Sequence, residues 1–151
     1  MKTQNVFKTI GGCAALAASL FAPGPGSTQQ ESVRLEVRVE GFRSARGQVA
    51  IALFDDANDF AARTDTVRSA YVAVEAAGAH WIVESLPPGE YALLAYHDEN
   101  GNGELDFRPL GIPKEPIAVS NGAGRLLGPP RFESAKFAVD GETTHVTLQL
   151  N

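Results

Sequence analysis

Val33, Leu35, Val37 and Val39 alternate with Arg34, Glu36, Arg38 and Glu40. Period two, with one apolar and one charged face, is the mark of a strand buried on one side. Val49, Ile51 and Leu53 repeat the pattern, and Val146, Leu148 and Leu150 repeat it near the far end against Thr147 and Gln149. Residues 71–75, 81–84, 90–96 and 132–139 supply further short β-rich stretches, with Gly and Pro in nearly every gap. Only residues 59–70 leave room for a short helix. About seven strands joined by turn-rich connections predict an all-β fold, an antiparallel β-sandwich. Most of Phe42, Phe54, Phe60, Phe107, Phe132 and Phe137 are expected in the core. Phe54 falls on the face opposite Val49, Ile51 and Leu53, and so marks a second covered face or an interface.

The segment before residue 23 is of another kind. Lys2 and Lys8 lead into an apolar, small-residue run over residues 10–22, and no acidic group precedes Glu31. This predicts a secretory signal peptide over residues 1–22, a flexible Pro/Gly/Ser/Gln linker over 23–32 and a β-sandwich domain over 33–151. The expected localisation is periplasmic or secreted. Ile10-Gly11-Gly12-Cys13 loosely resembles a lipobox, but most of the apolar run follows the cysteine instead of preceding it, which argues against lipid anchoring at Cys13. Loss of Cys13 with the signal would leave a domain without disulfides, held by packing alone or with a bound ion.

Charge narrows the partners. Thirteen basic residues stand against eighteen acidic ones with no basic cluster, which excludes a nucleic-acid surface. No run of eighteen apolar residues follows residue 30, so no membrane span is expected once the signal is removed.

The candidate chemistry lies in Asp98-Glu99-Asn100-Gly101-Asn102-Gly103-Glu104-Leu105-Asp106. Oxygen-bearing side chains at alternate positions around a glycine turn suit a hard cation. In the register of a twelve-position EF-hand loop, Asp98, Asn100 and Asn102 fall at positions 1, 3 and 5 and Gly103 at the turn of position 6. Glu104 then offers its carbonyl at position 7 and Asp106 a ligand at 9. Position 12 is Pro109, so the bidentate carboxylate that closes such a loop is missing, and Glu115 is the candidate to replace it. The expected cofactor is one Ca²⁺, bound weakly at about 10⁻⁴ to 10⁻³ M. The bland alternative is that Asx and Gly residues here only make tight turns. Pro87-Pro88-Gly89-Glu90 fits a type II turn with positive φ at Gly89, from which the strand carrying Asp98 would start.

At this point the blocks resemble a known family. Leu86-Pro87-Pro88-Gly89-Glu90-Tyr91-Ala92-Leu93 looks like the turn-strand signature of prealbumin-like and CNA-B-like sandwiches. Followed by Tyr96-His97 and the acidic loop, Leu110-Gly111-Ile112-Pro113-Lys114-Glu115-Pro116, Ser120-Asn121 and Gly128-Pro129-Pro130-Arg131-Phe132, it resembles the DUF2141 family of exported bacterial proteins. The resemblance implies a small exported β-domain and brings no reaction with it.

Other chemistries find less support. His80, His97 and His145 lie on separate segments without ligand spacing, against zinc or copper. The glycine-rich stretch 120–128 lacks the Lys-Ser/Thr of a phosphate loop, and no nucleophile elbow is present. Prealbumin-like folds include a ring-opening hydrolase, but its C-terminal Tyr-Arg-Gly-Ser signature is absent; a small hydrolase is the third-ranked reading. The leading expectation is a non-catalytic binding or structural module of the cell envelope whose calcium loop orders the surface, engaging a protein or polysaccharide. The alternative is a carbohydrate-binding module with Trp81, Tyr91 or Tyr96 as stacking platforms.

Overall fold

A computed structural model describes residues 32–76, 78–124 and 128–151. The expected signal segment, Cys13 and nearly all of the linker lie outside the described residues, as do three positions of the 120–128 stretch.

The alternating segments form the strands they predict. β1 (Val33–Glu40) buries its valines and leucine and turns its charged residues outward. It lies between β4 (Ala79–Leu86) and β10 (Thr143–Gln149) in a three-stranded sheet. The second sheet runs β3 (Arg68–Ala73), β2 (Gln48–Phe54), β5 (Gly89–Asp98), β8 (Ile117–Val119), and β9 (Phe137–Val139) pairs with the start of β5. A separate hairpin joins β6 (Phe107–Arg108) to β7 (Ile112–Pro113). The two larger sheets close on one core: Leu35, Val37 and Val39 of β1, Val83 of β4 and Leu148 of β10 meet Val49, Ile51 and Leu53 of β2 and Leu93 and Ala95 of β5. This is the expected all-β sandwich, with more and shorter strands than the alternation alone suggests. One pairing is parallel, β1 with β10. They open and close the described fold, so the whole sandwich serves as the long connection that a parallel pair needs.

Phe54 marks a second covered face. It packs there with Ala92, Leu94 and Val119 against Phe60 of α1 (Ala57–Ala62) and Phe132 and Ala135 of α2 (Phe132–Ala135). The rings of Phe54, Phe60 and Phe132 meet edge to face, with centroids 5.5 and 6.0 Å apart. α1 starts where Asp56 accepts from the Asn58 and Asp59 N–H groups at 2.7 and 3.2 Å, two residues before the predicted stretch begins. Because β2 and β5 are covered on both faces, β5 is buried almost continuously from Tyr91 to Asp98.

Two expectations are corrected. Residues 132–135 are helical, not extended, because Phe132 and Ala135, three apart, bring one helical face down on Phe60; only Phe137–Val139 is strand. Gly89 has no positive φ and is already in β5, paired with Val139. The irregularity falls earlier: β4 carries one extra residue against β1 between Val83 and Leu86, and Ser85 there takes φ 57°. Tyr91 secures the entry to β5 by donating to the Pro87 carbonyl at 2.9 Å. Phe107 is 43% exposed and outside the core.

Phe60→Ala removes the ring shared by both short helices and should lower the unfolding free energy by about 3–5 kcal/mol. Ile82→Ala, at a position 48% exposed, should change it by less than about 0.5 kcal/mol. Urea denaturation of both variants measures the difference; equal small effects would mean that the helical layer is not integral to the fold.

Candidate functional site

The acidic loop is set by pairing between β2 and β5. Gln48 stands opposite Asp98 and Val49 opposite His97. Immediately before β2, Gly47 takes φ +75°, and a Cβ there would lie 2.0 Å from the Asp98 carbonyl oxygen. Only glycine permits that approach. Around it the β1–β2 connection grips the other side of the site. The Arg46 carbonyl lies 2.7 Å from His97 Nε2, Ser44 Oγ donates to Glu99 Oε1 at 2.8 Å, and the Phe42 ring stands edge-on to the His97 ring at 5.0 Å.

Asp98 organises the loop. Its side chain is fully buried; Oδ1 accepts the Gly101 and Asn102 N–H groups at 2.7 and 3.1 Å, and Oδ2 accepts Gly103 N–H at 2.9 Å and the Gln48 amide at 3.2 Å. The pattern repeats along the loop: Asn100 Oδ1 accepts Asn102 N–H and Asn102 Oδ1 accepts Glu104 N–H, both at 2.9 Å. Asn100 also donates to Asp106 Oδ2 at 2.9 Å. Positive φ at Gly101 and Gly103, 71° and 79°, lets the chain curl around Asp98. From the sheet, Tyr71 and Tyr96 hydroxyls both donate to the Gly103 carbonyl, at 2.9 and 3.0 Å.

The loop is tied to the chain that follows. Lys114 N–H donates to the Asp106 carbonyl at 2.9 Å and His97 N–H to the Pro116 carbonyl at 2.9 Å. Between them Glu115 is 8% exposed; its Oε2 accepts Asp106 N–H at 3.2 Å, while Oε1 is buried with no hydrogen-bond partner.

Of the residues predicted to hold a cation, the charges of Asp98 and Asp106 both act on Glu115, and Asn100 is bonded to Asp106. Asn102 is tied into the same turn and exposed, and the Glu104 side chain faces solvent, leaving its carbonyl as the group of interest. Among the described residues no group of three or more His, Cys, Asp or Glu side chains is gathered to hold a metal ion. A cation here would need amide and carbonyl oxygens as well as carboxylates, a donor set that calcium accepts. His80 and His145 are exposed, while His97 is buried behind the loop.

Burial and bonding pull the two buried acids in opposite directions. Burial alone would raise the Asp98 carboxyl, but the Gly103 N–H, the Gln48 amide and the N–H groups of Gly101 and Asn102 outweigh it and hold it below the ordinary value of 3.8. Burial raises Glu115 above 4.5; the Asp106 N–H and His97 oppose this, and the charges of Asp98 and Asp106 add to it. Burial, the neighbouring Tyr71 hydroxyl, and the negative charges of Asp98 and Glu115 push the Tyr96 phenol well above its usual range.

Sequence reading did not find Gly47, Gln48, Tyr71 or the Arg46 carbonyl. Each reaches the loop through the register of the sheet, over 32 to 51 positions of chain, and no local signal marks them.

An Asx-turn loop with buried carboxylates, borne on the last residue of a central strand, defines a small β-sandwich domain with its polar site at one end. The family model described as "Uncharacterized protein conserved in bacteria (DUF2141)" matches residues 37–147, and the chain belongs to that family. No curated protein and no solved structure matches it.

Because the folded Asp98 is more acidic than the unfolded residue, its ionised form contributes stability above pH 3.8, which is lost as pH falls through the depressed folded value. Asp98→Asn should lower stability at neutral pH by about 1.5–3 kcal/mol and flatten the loss on acidification. Urea melts at several pH values test this; identical acid slopes in parent and variant would contradict it.

Proposed function

We propose that this chain is an exported, non-catalytic β-sandwich module of the cell envelope, whose 98–106 loop binds one Ca²⁺ and thereby staples the following irregular segment to the sheet. The observation that carries the reading is the Glu115 oxygen, buried without a partner beside two other acids. A buried, unpaired carboxylate oxygen is costly, and a divalent cation would relieve both its desolvation and its repulsion from Asp98 and Asp106. Asp98, Asn100, Asn102 and Asp106 side chains, the Glu104 carbonyl and Glu115 would hold the ion. The Asn100 and Asn102 oxygens each accept one backbone N–H and keep a further lone pair for a metal. The Asp98 oxygens already accept two bonds each, so an ion there would displace one donor, the Gln48 amide at 3.2 Å being the longest. Glu115 would then stand in for the closing carboxylate that Pro109 cannot supply.

Export rests on the charge and apolar pattern of residues 1–22. Among the described residues no helix is long and apolar enough to cross a membrane. A protein or polysaccharide of the envelope is the partner this reading expects. The carbohydrate alternative has less to build on, since Tyr91 is buried, Trp81 packs against the core and the Tyr96 hydroxyl is bound to the loop.

Thermal melts with and without calcium test the ion. The parent should gain about 1.4 kcal/mol when free calcium stands tenfold above its Kd, seen as a rise of several degrees. Glu115→Gln should abolish that gain. Without calcium the same variant should be as stable as the parent or more so at neutral pH. A carboxyl whose folded pKa is raised binds more protons folded than unfolded, so it costs stability as pH rises from 4.5 through the folded value. No calcium response in the parent, or an equal one in Glu115→Gln, would overturn the reading.

A further inference from the structure

The segment behind the loop carries apolar side chains that the fold does not use. β6 and β7 form a hairpin with two paired positions on each strand, and Pro109, Leu110 and Gly111 make its tip. Leu110 is 98% exposed, Ile112 54% and Phe107 43%. Leu110 also takes φ 74°, left-handed backbone that disfavours a branched side chain. Among the described residues the other non-glycine positions with positive φ, Arg63, Asp65, Ser85 and Asn121, carry polar or charged side chains. Glycine would make this turn with less strain and no exposed apolar surface. A leucine held in solvent against both costs is an outlier of the sort that points to a use outside the fold.

Its surroundings indicate what that use is. Arg108 and Lys114 flank the tip, and the Arg63 guanidinium lies 5.9 Å from the centre of the Phe107 ring. No acid lies from Phe107 to Lys114. The nearest acids in sequence, Glu104, Asp106 and the buried Glu115, belong to the base of the hairpin, and Asp65 follows Arg63. The chain as a whole is negative, at −5. The hairpin itself, from Phe107 to Lys114, carries two cations and no acid, so a surface touched by its tip would meet Arg108 and Lys114 before the acids at its base.

We infer that the 107–113 hairpin docks on an anionic lipid surface, with Leu110 and Ile112 entering the headgroup boundary and Arg108, Lys114 and Arg63 at the phosphates. A projecting hairpin end with Leu110 and Ile112 exposed and basic residues on either side fits such a boundary. It offers too little for a stable protein interface, which needs roughly 800 Å² from each partner. The inference does not rest on the ion: the hairpin pairing and exposure stand without it.

Co-sedimentation of the full chain with phosphatidylglycerol/phosphatidylcholine vesicles and with pure phosphatidylcholine vesicles tests it, in EDTA and again in millimolar calcium. In at least one of these conditions the parent should bind the anionic vesicles. Leu110→Asp/Ile112→Asp should bind them about tenfold less tightly, while Ile82→Asp, on an exposed apolar position of the other sheet, should bind like the parent. Leu110→Trp should show a blue-shifted emission on the same vesicles, a readout that survives if the aspartate variant folds poorly. Equal binding by parent and tip variant would place the contact elsewhere, such as residues 10–22, and overturn the inference. So would absence of parent binding in both conditions, which would leave a protein groove as the occupant, or an unshifted Leu110→Trp spectrum.

Discussion

The buried carboxylate of Asp98 is the interaction on which the polar end of this domain depends. Three successive backbone N–H groups, those of Gly101, Asn102 and Gly103, and the Gln48 amide converge on its two oxygens. A buried anion is tolerable only when so bonded, and the bonding fixes the curl of the loop. The sheet sets Asp98 in place in turn: β2 pairs along the length of β5, and Gly47 lets the β1–β2 connection close against the Asp98 carbonyl. Removing the carboxylate would therefore cost more than a local turn.

That arrangement separates a rigid platform from a tethered segment. β5 is buried on both faces and ends at Asp98, whereas residues 99–116 are mostly exposed and return to the sheet through the contacts of Lys114 and Pro116 with Asp106 and His97. Glu115 sits at that return, with one oxygen satisfied and one not. In the proposed function a divalent ion completes this junction, so the metal acts as a structural tie and not as a switch between helix positions. The exposed hairpin hangs from the same junction, which relates the order of the loop to the presentation of Leu110 and Ile112.

Much of the fold was legible because half-buried strands leave a period-two trace. The β1 alternation is reproduced residue by residue in its burial, and Phe54, read as out of phase with its own strand, does lie under a second layer. Residues 132–135 misled because a β-rich composition was read without the partner that decides it: Phe60, more than 70 positions away, captures Phe132 and Ala135 on a helical face. At Gly89 the Pro-Pro-Gly string suggested a turn, but pairing with Val139 extends the strand through it. Of the site, the Asx spacing in 98–106 was readable, because side-chain-to-backbone bonds at i+2 are local. The supports from Gly47, Gln48 and Tyr71 were not, because they depend on strand register.

Anomalous diffraction from crystals of this chain grown in calcium tests the central claim most directly. The account predicts one calcium peak with Asp98, Asn100, Asn102, the Glu104 carbonyl, Asp106 and Glu115 oxygens around it at about 2.3–2.6 Å, and Glu115 Oε1 among the ligands. A well-ordered 98–115 segment with no peak, and Glu115 Oε1 still without a partner, would contradict it.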